Sequence, residues 1–295
     1  MTTYASKQLN FGVQMKKLLF IALLCVSSLF AKDFAFTAIP DQDETKLKER
    51  FSLLADYLSK ELGVNAKFIP VKSYSASIAA FRNNQVQLAW FGGLSGVRAR
   101  LIVPNAVAIA QGVEDPNFHS FLIANTSTGL EKSREIPAGV EGKTFTFGSK
   151  GSTSGRLMPE YFIRQAFNKA PNEIFEKVGF SGNHSKTIAL VQSGAYEVGA
   201  VNYKVWKKEL AAGKIDTSKV KIIYQTPGYP DYNFTARGDL DATYGEGFTK
   251  KLQAALIAIK DEKILNSFPR SGFIKAENKD FDAILETGRK IGIID

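Results

Sequence analysis

The chain is poor in the side chains on which most metal and covalent chemistry depends. Its 295 residues include one cysteine and two histidines. The cysteine, Cys25, lies in an apolar N-terminal segment that we expect to be removed, so the mature chain has no thiol and no disulfide. The histidines, His119 and His184, do not belong to any metal-ligand spacing. We therefore expect no cysteine nucleophile, no metal site and no cofactor.

The chain also lacks a block of positive charge. Its formal net charge of +9 falls to +6, with 35 basic and 29 acidic residues, when Lys7, Lys16 and Lys17 are left out. These charges are spread evenly, which makes nucleic acid a poor partner. Beyond residue 31 no apolar run reaches the ~18 residues of a membrane span. We expect a soluble, mildly basic protein suited to a small anionic solute.

The N-terminus has the layout of a secretory signal peptide. Residues 15–31 run from a charged start through an apolar stretch to a small-residue end, and cleavage after Ala31 is expected to release the protein into the periplasm. Residues 1–14 precede the charged start and are interpreted as the product of an upstream start codon. Lipid attachment at Cys25 is disfavoured, because Leu24 occupies a position where a lipobox has a small residue.

Strands alternate with amphipathic helices along the rest of the chain. The clearest helix spans residues 44–62 and is ended by Gly63. It follows a predicted strand at 34–39 and precedes strands at 64–71 and 86–91. Such alternation requires crossover connections and predicts an α/β fold with mostly parallel sheets. The apolar face of the helix consists of Leu47, Phe51, Leu54, Leu58 and Leu62.

The same order of elements recurs at an offset of 110 residues. Residues 78–90 align without a gap with residues 188–200, which indicates two related βαβαβ lobes. The offset places Tyr74 and His184 at equivalent positions, each starting a helix. Ligands of open α/β sheets bind beyond the carboxyl ends of the strands, where helix N-termini point. We therefore predict a cleft with Tyr74 on one wall and His184 on the other.

Two crossings between the lobes are predicted to form a hinge. Strands near 107–111 and 118–123 carry the chain across, and residues 222–237 carry it back. The predicted division places residues 32–117 and 226–295 in one lobe and residues 118–225 in the other.

A glycine- and hydroxyl-rich turn stands out at residues 148–155. It follows a predicted strand at 143–147 and opens a predicted helix at 160–170, so free backbone N–H groups, hydroxyl donors and a helix dipole converge there. This chemistry suits an anion. The alternative is an ordinary helix cap.

Several of these segments resemble a known family. Residues 151–155 with Pro159, residues 181–184 and residues 194–202 are similar to periplasmic substrate-binding proteins of ABC transporters, of the phosphate, phosphite and phosphonate type. The resemblance covers nearly all of the mature chain. It implies a class II periplasmic-binding-protein fold, in which two βαβ lobes are joined by a two-strand hinge and close around a ligand. Within the family, residues 38–41, 90–93 and 148–161 look closest to a branch described as selenate-binding components.

The resemblance also implies roles for individual residues. The hydroxyl turn would hydrogen-bond the oxyanion, His184 would donate from its helix N-terminus, and Tyr74 would contact the ligand from the opposite lobe. A further group would line the other wall. The ligand-binding residues implied in this way are Ser152, Thr153, Ser154, His184, Tyr74, Trp90, Phe91 and Gly92.

Acidic residues complicate this interpretation. Binders of amino-phosphonates carry an acid for the ligand's ammonium, and Glu197 lies in the corresponding strand, although alternation could turn it away. By the internal offset, Asp41, Asp43 and Glu44 face the hydroxyl turn, where a capping role is expected. They would repel a fully ionised ligand unless that ligand is protonated or they turn away. An amine-free oxyanion is favoured, with selenate, selenite, phosphonate, phosphite and phosphate left open.

Other polar residues are expected to have plainer roles. His119 is interpreted as structural or exposed, and Arg156 is expected to reach solvent. Tyr229 and Tyr232 are weak candidates for the cleft.

The function predicted from the sequence is capture of a small oxyanion and delivery to an ABC permease, by a monomer that makes and breaks no bond. Two alternatives are a periplasmic sensor for a histidine kinase and an enzyme on the same two-lobed scaffold.

Overall fold

The structure, a computed structural model, describes residues 32–295, and the predicted signal peptide and Cys25 lie outside this range. Eleven strands of the described chain form two sheets. They are β1 Asp33–Ala38, β2 Asn65–Phe68, β3 Leu88–Phe91, β4 Val107–Gly112, β5 Ser120–Asn125, β6 Thr144–Phe147, β7 Lys177–Phe180, β8 Val198–Asn202, β9 Val220–Gln225, β10 Asn233–Ala236 and β11 Phe273–Lys275.

Helices connect most of these strands, and in the described chain the links β4–β5, β5–β6 and β9–β10 have no α-helix. They are α1 Glu44–Leu62, α2 Tyr74–Arg82, α3 Gly93–Ile102, α4 Met158–Phe167, α5 Pro171–Ile174, α6 His184–Gln192, α7 Tyr203–Ala211, α8 Leu240–Tyr244, α9 Phe248–Ile257, α10 Glu262–Ser267 and α11 Asp282–Lys290. None of the helices in residues 32–295 is long and apolar enough to cross a membrane.

The sheets are mixed, so the expectation of mostly parallel sheets is wrong. One sheet has the order β11-β4-β10-β3-β1-β2 and the other β7-β6-β8-β5-β9. Strand β1 pairs in parallel with β2 and β3, and β6 does so with β7 and β8. The strands that carry the chain between sheets, β4, β5, β9 and β10, pair antiparallel. Parallel neighbours are joined by helical crossovers, whereas within residues 32–295 β4 leads to β5 and β9 leads to β10 without an α-helix as the chain passes between the sheets.

Helix α1 forms as its sequence predicts. Asp43 caps its start by accepting the Lys46 N–H at 3.2 Å, and Gly63 ends it with φ of 69°, a left-handed conformation that favours glycine. All five residues of the predicted apolar face are buried. Around them, α1 and the first sheet share one hydrophobic core that also contains Phe34, Phe36 and Trp90. The second sheet has its own buried clusters.

We call the part of the chain built on the six-stranded sheet the first lobe and the part built on the five-stranded sheet the second lobe. Strands of the first lobe come from residues 33–112 and 233–275, and strands of the second from 120–225. Between them the two crossing segments pair, since Phe118 and Tyr229 exchange backbone hydrogen bonds of 2.8 and 3.0 Å. The division points at residues 117 and 226 stay a prediction.

Candidate functional site

The hydroxyl turn leaves the end of β6 and enters α4 through a π-helical turn, Thr153–Leu157. Ser152 caps this turn, because its Oγ accepts the Gly155 N–H at 2.9 Å. The capping alternative therefore describes Ser152 correctly. Ser154 differs: its side chain is 1% exposed, and its Oγ has no hydrogen-bond partner within residues 32–295. Ser154 thus offers a buried hydroxyl to whatever occupies the cleft.

His184 begins α6, as the internal repeat predicts, and Asn183 caps this helix by accepting the Lys186 N–H. The imidazole is fully buried, which lowers the pKa of His184 to about 4 against the attraction of Asp41. The ring is therefore neutral at physiological pH. Its Nδ1 accepts the Asn202 N–H at 3.3 Å, so the proton lies on Nε2. Because Nε2 has no partner in the described chain, His184 is a neutral donor.

Tyr74 begins α2 in the first lobe, where Ser73 is the cap. Its ring is 2% exposed, and its hydroxyl has no partner in the described chain. Burial raises the pKa of the Tyr74 hydroxyl well above its usual value, so it keeps its proton. Gly151 of the second lobe lies directly against it, since a Cβ there would be 3.1 Å from the Tyr74 Cβ. The predicted opposition of Tyr74 and the hydroxyl turn is present.

The N-terminus of α3 completes the site and introduces a residue that the sequence did not reveal. The Gly93 N–H donates to Asp231 Oδ1 at 2.9 Å, and the Leu94 N–H donates across the cleft to Thr153 Oγ1 at 2.9 Å. Gly92 allows this approach, because a Cβ there would lie 3.0 Å from Asp231 Oδ1 and 3.2 Å from Thr153 Oγ1. Gly92, Thr153 and Asp231 therefore meet at one point between the lobes.

Asp231 is a buried carboxylate in this donor-rich site. It is 1% exposed, and burial raises the pKa of Asp231 to about 7, although the Gly93 N–H and the Thr153 and Ser154 hydroxyls favour the ionised form. The Thr153 and Ser154 hydroxyls are near enough to lower the pKa of Asp231, but Asp231 Oδ2 forms no hydrogen bond of good geometry within the described residues. The group can hold or accept one proton near neutral pH. Sequence reasoning placed its segment in the hinge and named Tyr229 and Tyr232 there as weak cleft candidates, but it did not name Asp231.

The acids near α1 are neutralised or turned away, which removes part of the predicted repulsion. Asp43 is the helix cap, and Glu44 is exposed and pairs with two lysines. Asp41 is buried, with Arg50 NH1 3.6 Å from Oδ1 and the Tyr232 hydroxyl donating to Oδ2 at 3.1 Å. Its backbone oxygen accepts the N–H of His184 at 3.1 Å, so Asp41 links the two lobes.

Two aromatic residues predicted to line the cleft pack against other aromatic side chains in the core of the first lobe. Trp90 stacks on Tyr232 with ring centroids 5.4 Å apart and also packs on Phe234, while Phe91 packs on Phe81. Both are essentially fully buried in the core of the first lobe. A ligand contact for either stays a prediction.

Three other polar residues lie away from the oxyanion donors. Glu197 pairs with Lys143 at 3.1 Å and accepts the N–H of Thr144, the first residue of β6, so it sits at the end of that sheet opposite the hydroxyl turn. His119 contacts a backbone oxygen of the hinge, in keeping with a structural role. Arg156 does not reach freely into solvent: it pairs with the buried Glu160.

Eight buried side-chain polar atoms in residues 32–295 lack a hydrogen-bond partner. Asp41 Oδ1 is one of them, although the Arg50 guanidinium lies 3.6 Å away, and four others belong to elements that meet at the cleft. Three of these four can donate and one can accept. They are Tyr74 OH, Ser154 Oγ, His184 Nε2 and Asp231 Oδ2. Buried polar groups are normally hydrogen-bonded, so a concentration of exceptions marks a place where a polar ligand belongs.

Comparison with known proteins identifies a family that the chain matches. Residues 36–281 match the family described as "ABC transporter, phosphonate, periplasmic substrate-binding protein". The chain belongs to this family. It is 44% identical over 264 residues to the "Probable ABC transporter phosphite binding protein PhnD1" of Prochlorococcus marinus (strain MIT 9301), a match that covers 87% of this chain and 89% of that protein.

Solved structures of phosphonate-binding proteins have the same fold. The structure of PhnD1 from Prochlorococcus marinus in complex with methylphosphonate superposes with a TM-score of 0.84 and covers 89% of this chain and 99% of that one. A binding protein of a phosphonate transporter from Pseudomonas aeruginosa superposes with a TM-score of 0.76 at 22% identity and covers 87% of this chain and 85% of that one. The "Phosphonates-binding periplasmic protein" of Escherichia coli (strain K12) is 27% identical over 72% of this chain and 63% of its own length.

Membership of this phosphonate-binding family confirms the main sequence predictions. The protein has the two-sheet α/β fold of periplasmic binding proteins and is an extracytoplasmic substrate-binding component of an ABC transporter, not an enzyme. It binds a small oxyanion and works with a membrane permease. Selenate as the ligand stays an untested prediction.

Proposed function

We propose that this protein captures a singly protonated phosphonate or phosphite in the cleft and presents it to its permease. The observation that carries the proposal is the set of three buried donors and one buried acceptor, Asp231 with its pKa raised to about 7, that lack hydrogen-bond partners within the described residues where the lobes meet. A methylphosphonate or phosphite monoanion has acceptor oxygens for Tyr74, Ser154 and His184 and one P–OH for Asp231. The site and such a ligand therefore match group for group.

One proton decides which oxyanions fit. Asp231 faces the ligand without a cation beside it, so a fully ionised oxyanion is repelled unless the carboxyl takes up a proton. A ligand that carries its own acidic proton donates it in a hydrogen bond to Asp231 Oδ2 instead. Hydrogen bonds of this charge-assisted kind contribute about 1.5 to 3 kcal/mol each. Selenate and sulfate carry no proton at neutral pH, which argues for phosphorus oxyanions.

The ligand we propose carries no amine. Glu197, which the sequence offered as an ammonium partner, is occupied by Lys143 at the far end of its sheet. Asp41 is occupied by Arg50 and Tyr232. The remaining carboxylate, Asp231, is matched to the P–OH. A short alkyl phosphonate or phosphite has no ammonium group, so it needs none of these acids as a partner for one.

We further propose that the chain is released by cleavage after Ala31 and acts as a monomer whose closed lobes are recognised by the permease. Hydrogen bonds across the cleft support closure as the signal. Examples are the bond from Leu94 N to Thr153 Oγ1 and the bond from His184 N to Asp41 O. Both depend on the two lobes being in contact.

A thermal-shift and calorimetric panel tests the ligand. At 100 times its dissociation constant a ligand adds about 2.7 kcal/mol to the free energy of unfolding. We expect methylphosphonate and phosphite to do so at pH 6.5, and selenate, sulfate and 2-aminoethylphosphonate to give much smaller shifts. Ser154→Ala removes an unpartnered hydroxyl, so it is expected to weaken binding about tenfold while the ligand-free melting temperature holds.

Glu197→Gln is the matched control, because it changes a polar residue of the same lobe outside the site. Equal binding by wild type and Ser154→Ala would show that the pocket is elsewhere. Tighter binding of selenate than of methylphosphonate would overturn the proposed ligand class.

A further inference from the structure

A second cavity lies behind the hydroxyl turn. It has a volume of about 660 Å³ and is lined by Arg98 and Ile293 of the first lobe and by Lys150, Arg156 and Phe180, among others, of the second. Ligand pockets commonly occupy about 300 to 1,000 Å³. Since both lobes contribute, the cavity exists as one space when the lobes are together. We call it the basic cavity.

Positive charge dominates its lining. Four basic side chains, Arg98, Lys150, Arg156 and Arg164, face a single carboxylate, Glu160. Glu160 is buried and shared, since it pairs with Arg156 and lies 2.7 Å from Arg164. Burial lowers the pKa of Arg156, the charge of Glu160 opposes this, and Arg164 and Arg98 add smaller lowering effects. Glu160 offsets part of the repulsion among these cations, and an anion in the cavity would offset the remaining excess of positive charge.

The cationic groups are held in place before any ligand arrives. The Arg156 guanidinium lies over the Phe147 ring at 4.6 Å and over the Phe180 ring at 5.1 Å, and Lys150 Nζ lies 5.1 Å from Phe180. Arg98 donates to the Ile293 backbone oxygen at 2.6 Å. Lys150 is exposed and forms no ion pair within residues 32–295. Preorganised guanidinium groups lose little freedom when they bind phosphate or carboxylate.

The basic cavity and the oxyanion site share one segment of chain. Lys150 and Arg156 bracket the hydroxyls of residues 152–154 and line the basic cavity instead of the cleft. On the other side, Arg98 belongs to α3, whose Leu94 N–H holds Thr153 Oγ1. An anion that joins Arg98 to Lys150 would therefore hold the same two elements together as the oxyanion site does.

We propose that the basic cavity binds a small polyanion with two or more phosphate or carboxylate groups, and that this ligand and the cleft oxyanion favour each other. The spread of cationic groups across both lobes calls for more than one anionic group. Each ligand stabilises contact between the lobes, so by linkage each raises the affinity for the other.

Calorimetry with inorganic pyrophosphate and with citrate, at constant ionic strength, tests the proposal. The titrations are run on ligand-free protein and on protein saturated with methylphosphonate. We expect about one polyanion to bind the saturated protein, with higher affinity than the ligand-free protein, and the tighter of the two probes identifies phosphate or carboxylate chemistry. Arg98→Gln and Lys150→Gln are each expected to weaken this binding about tenfold, the loss of one charge-assisted contact.

The controls separate this site from the cleft. Lys60→Gln changes an exposed lysine outside the cavity and is expected to leave polyanion binding unaltered. Displacement of methylphosphonate by pyrophosphate, or binding unchanged in both Arg98→Gln and Lys150→Gln, would overturn the second site. So would an equal loss in Lys60→Gln. Failure of methylphosphonate to bind would sink the proposed function alone, because the titrations of ligand-free protein still report on the cavity.

Discussion

Two buried aspartates of the described chain lie between the lobes, one with a cation beside it and one without. Asp41 is 3% exposed and has a cation, Arg50, and a tyrosine hydroxyl as neighbours. Asp231 is 1% exposed and forms no salt bridge within the described residues, only a bond from the Gly93 N–H and contacts with hydroxyls. Burial raises the pKa of Asp231 to about 7. A buried carboxylate with a countercharge helps to hold the fold together. A buried carboxylate without one can bind and release a proton.

This difference explains how an anion site tolerates acids on one of its walls. The Asp41 charge is balanced by Arg50, and its backbone oxygen fixes the first N–H of the helix that carries His184. Asp231 has no such balance, so its charge depends on the ligand's own proton. The wall of the second lobe supplies neutral donors, Ser154 and His184. A ligand with both acceptor oxygens and one acidic proton satisfies both walls at once.

The largest expected effect comes from removing the cation beside Asp41. Arg50→Met leaves Asp41 buried without its cation, and removing one partner of a buried pair costs about 3 to 5 kcal/mol. Urea unfolding of the ligand-free protein measures this loss. Adding Asp41→Asn to Arg50→Met is expected to restore part of it, since the uncompensated charge is gone. A loss in Arg50→Met that Asp41→Asn does not reduce would mean that packing of the long Arg50 side chain, and not charge, is what matters.

The next effect concerns Asp231, where a substitution is expected to raise the free energy of unfolding instead of lowering it. Its folded-state pKa is raised from 3.8 to about 7, so its contribution to the stability of the ligand-free protein is fully present below pH 3.8 and is lost as pH rises through 7. Asp231→Asn cannot ionise and is expected to be more stable than wild type at pH 8 by roughly 2 to 4 kcal/mol, with little difference at pH 4. Unfolding free energies across this range measure the effect.

The same variant should bind methylphosphonate more weakly, because an amide in place of the carboxylate loses the strong acceptor for the P–OH. Asp41→Asn is the matched control: it removes a buried carboxylate that has the Arg50 cation beside it, so it should not raise the free energy of unfolding. Parallel pH profiles for wild type and Asp231→Asn would show that Asp231 stays ionised and would remove the contrast between the two aspartates.

Local signals in the sequence predicted much of this site. The 3.6-residue periodicity of α1, the glycine that ends it and the cap before it are all short-range features. The internal repeat placed Tyr74 and His184 at two helix starts on opposite walls, which is where they lie. Each of these inferences needed only a pattern within one lobe.

Other features of the site depend on chain segments that are distant in sequence. Asp231 reaches the N-terminus of α3 from the returning crossing, 138 positions away from Gly93, and no local pattern marks that meeting. The glycine pair after Trp90 and Phe91 suggested a cleft wall, but no local pattern shows that Trp90 packs on Phe234 of the neighbouring strand β10 and on Phe273 of β11. Arg156 was expected in solvent because it lies one turn into the predicted helix, but it pairs with the buried Glu160.

The smallest effect tests a third acid at the lobe boundary. Lys46 of α1 contacts Glu209 of α7 at 2.6 Å across the lobes, and Glu209 also accepts the Ser185 hydroxyl at 3.1 Å. Unlike Arg50, the Lys46 side chain is partly exposed, so its pair is screened by water and salt. Lys46→Met is expected to reduce the free energy of lobe closure by about 0.5 to 1 kcal/mol, which corresponds to a roughly two- to fivefold rise in the dissociation constant of methylphosphonate.

The control is Lys48→Met, which breaks a pair with Glu44 inside one helix and should leave affinity unchanged. Because Lys46 and Glu209 are in different lobes, the loss should appear in ligand dissociation and shrink at high salt, while unfolding of the ligand-free protein changes little. An equal loss in Lys48→Met would show that general charge, and not lobe contact, sets the affinity.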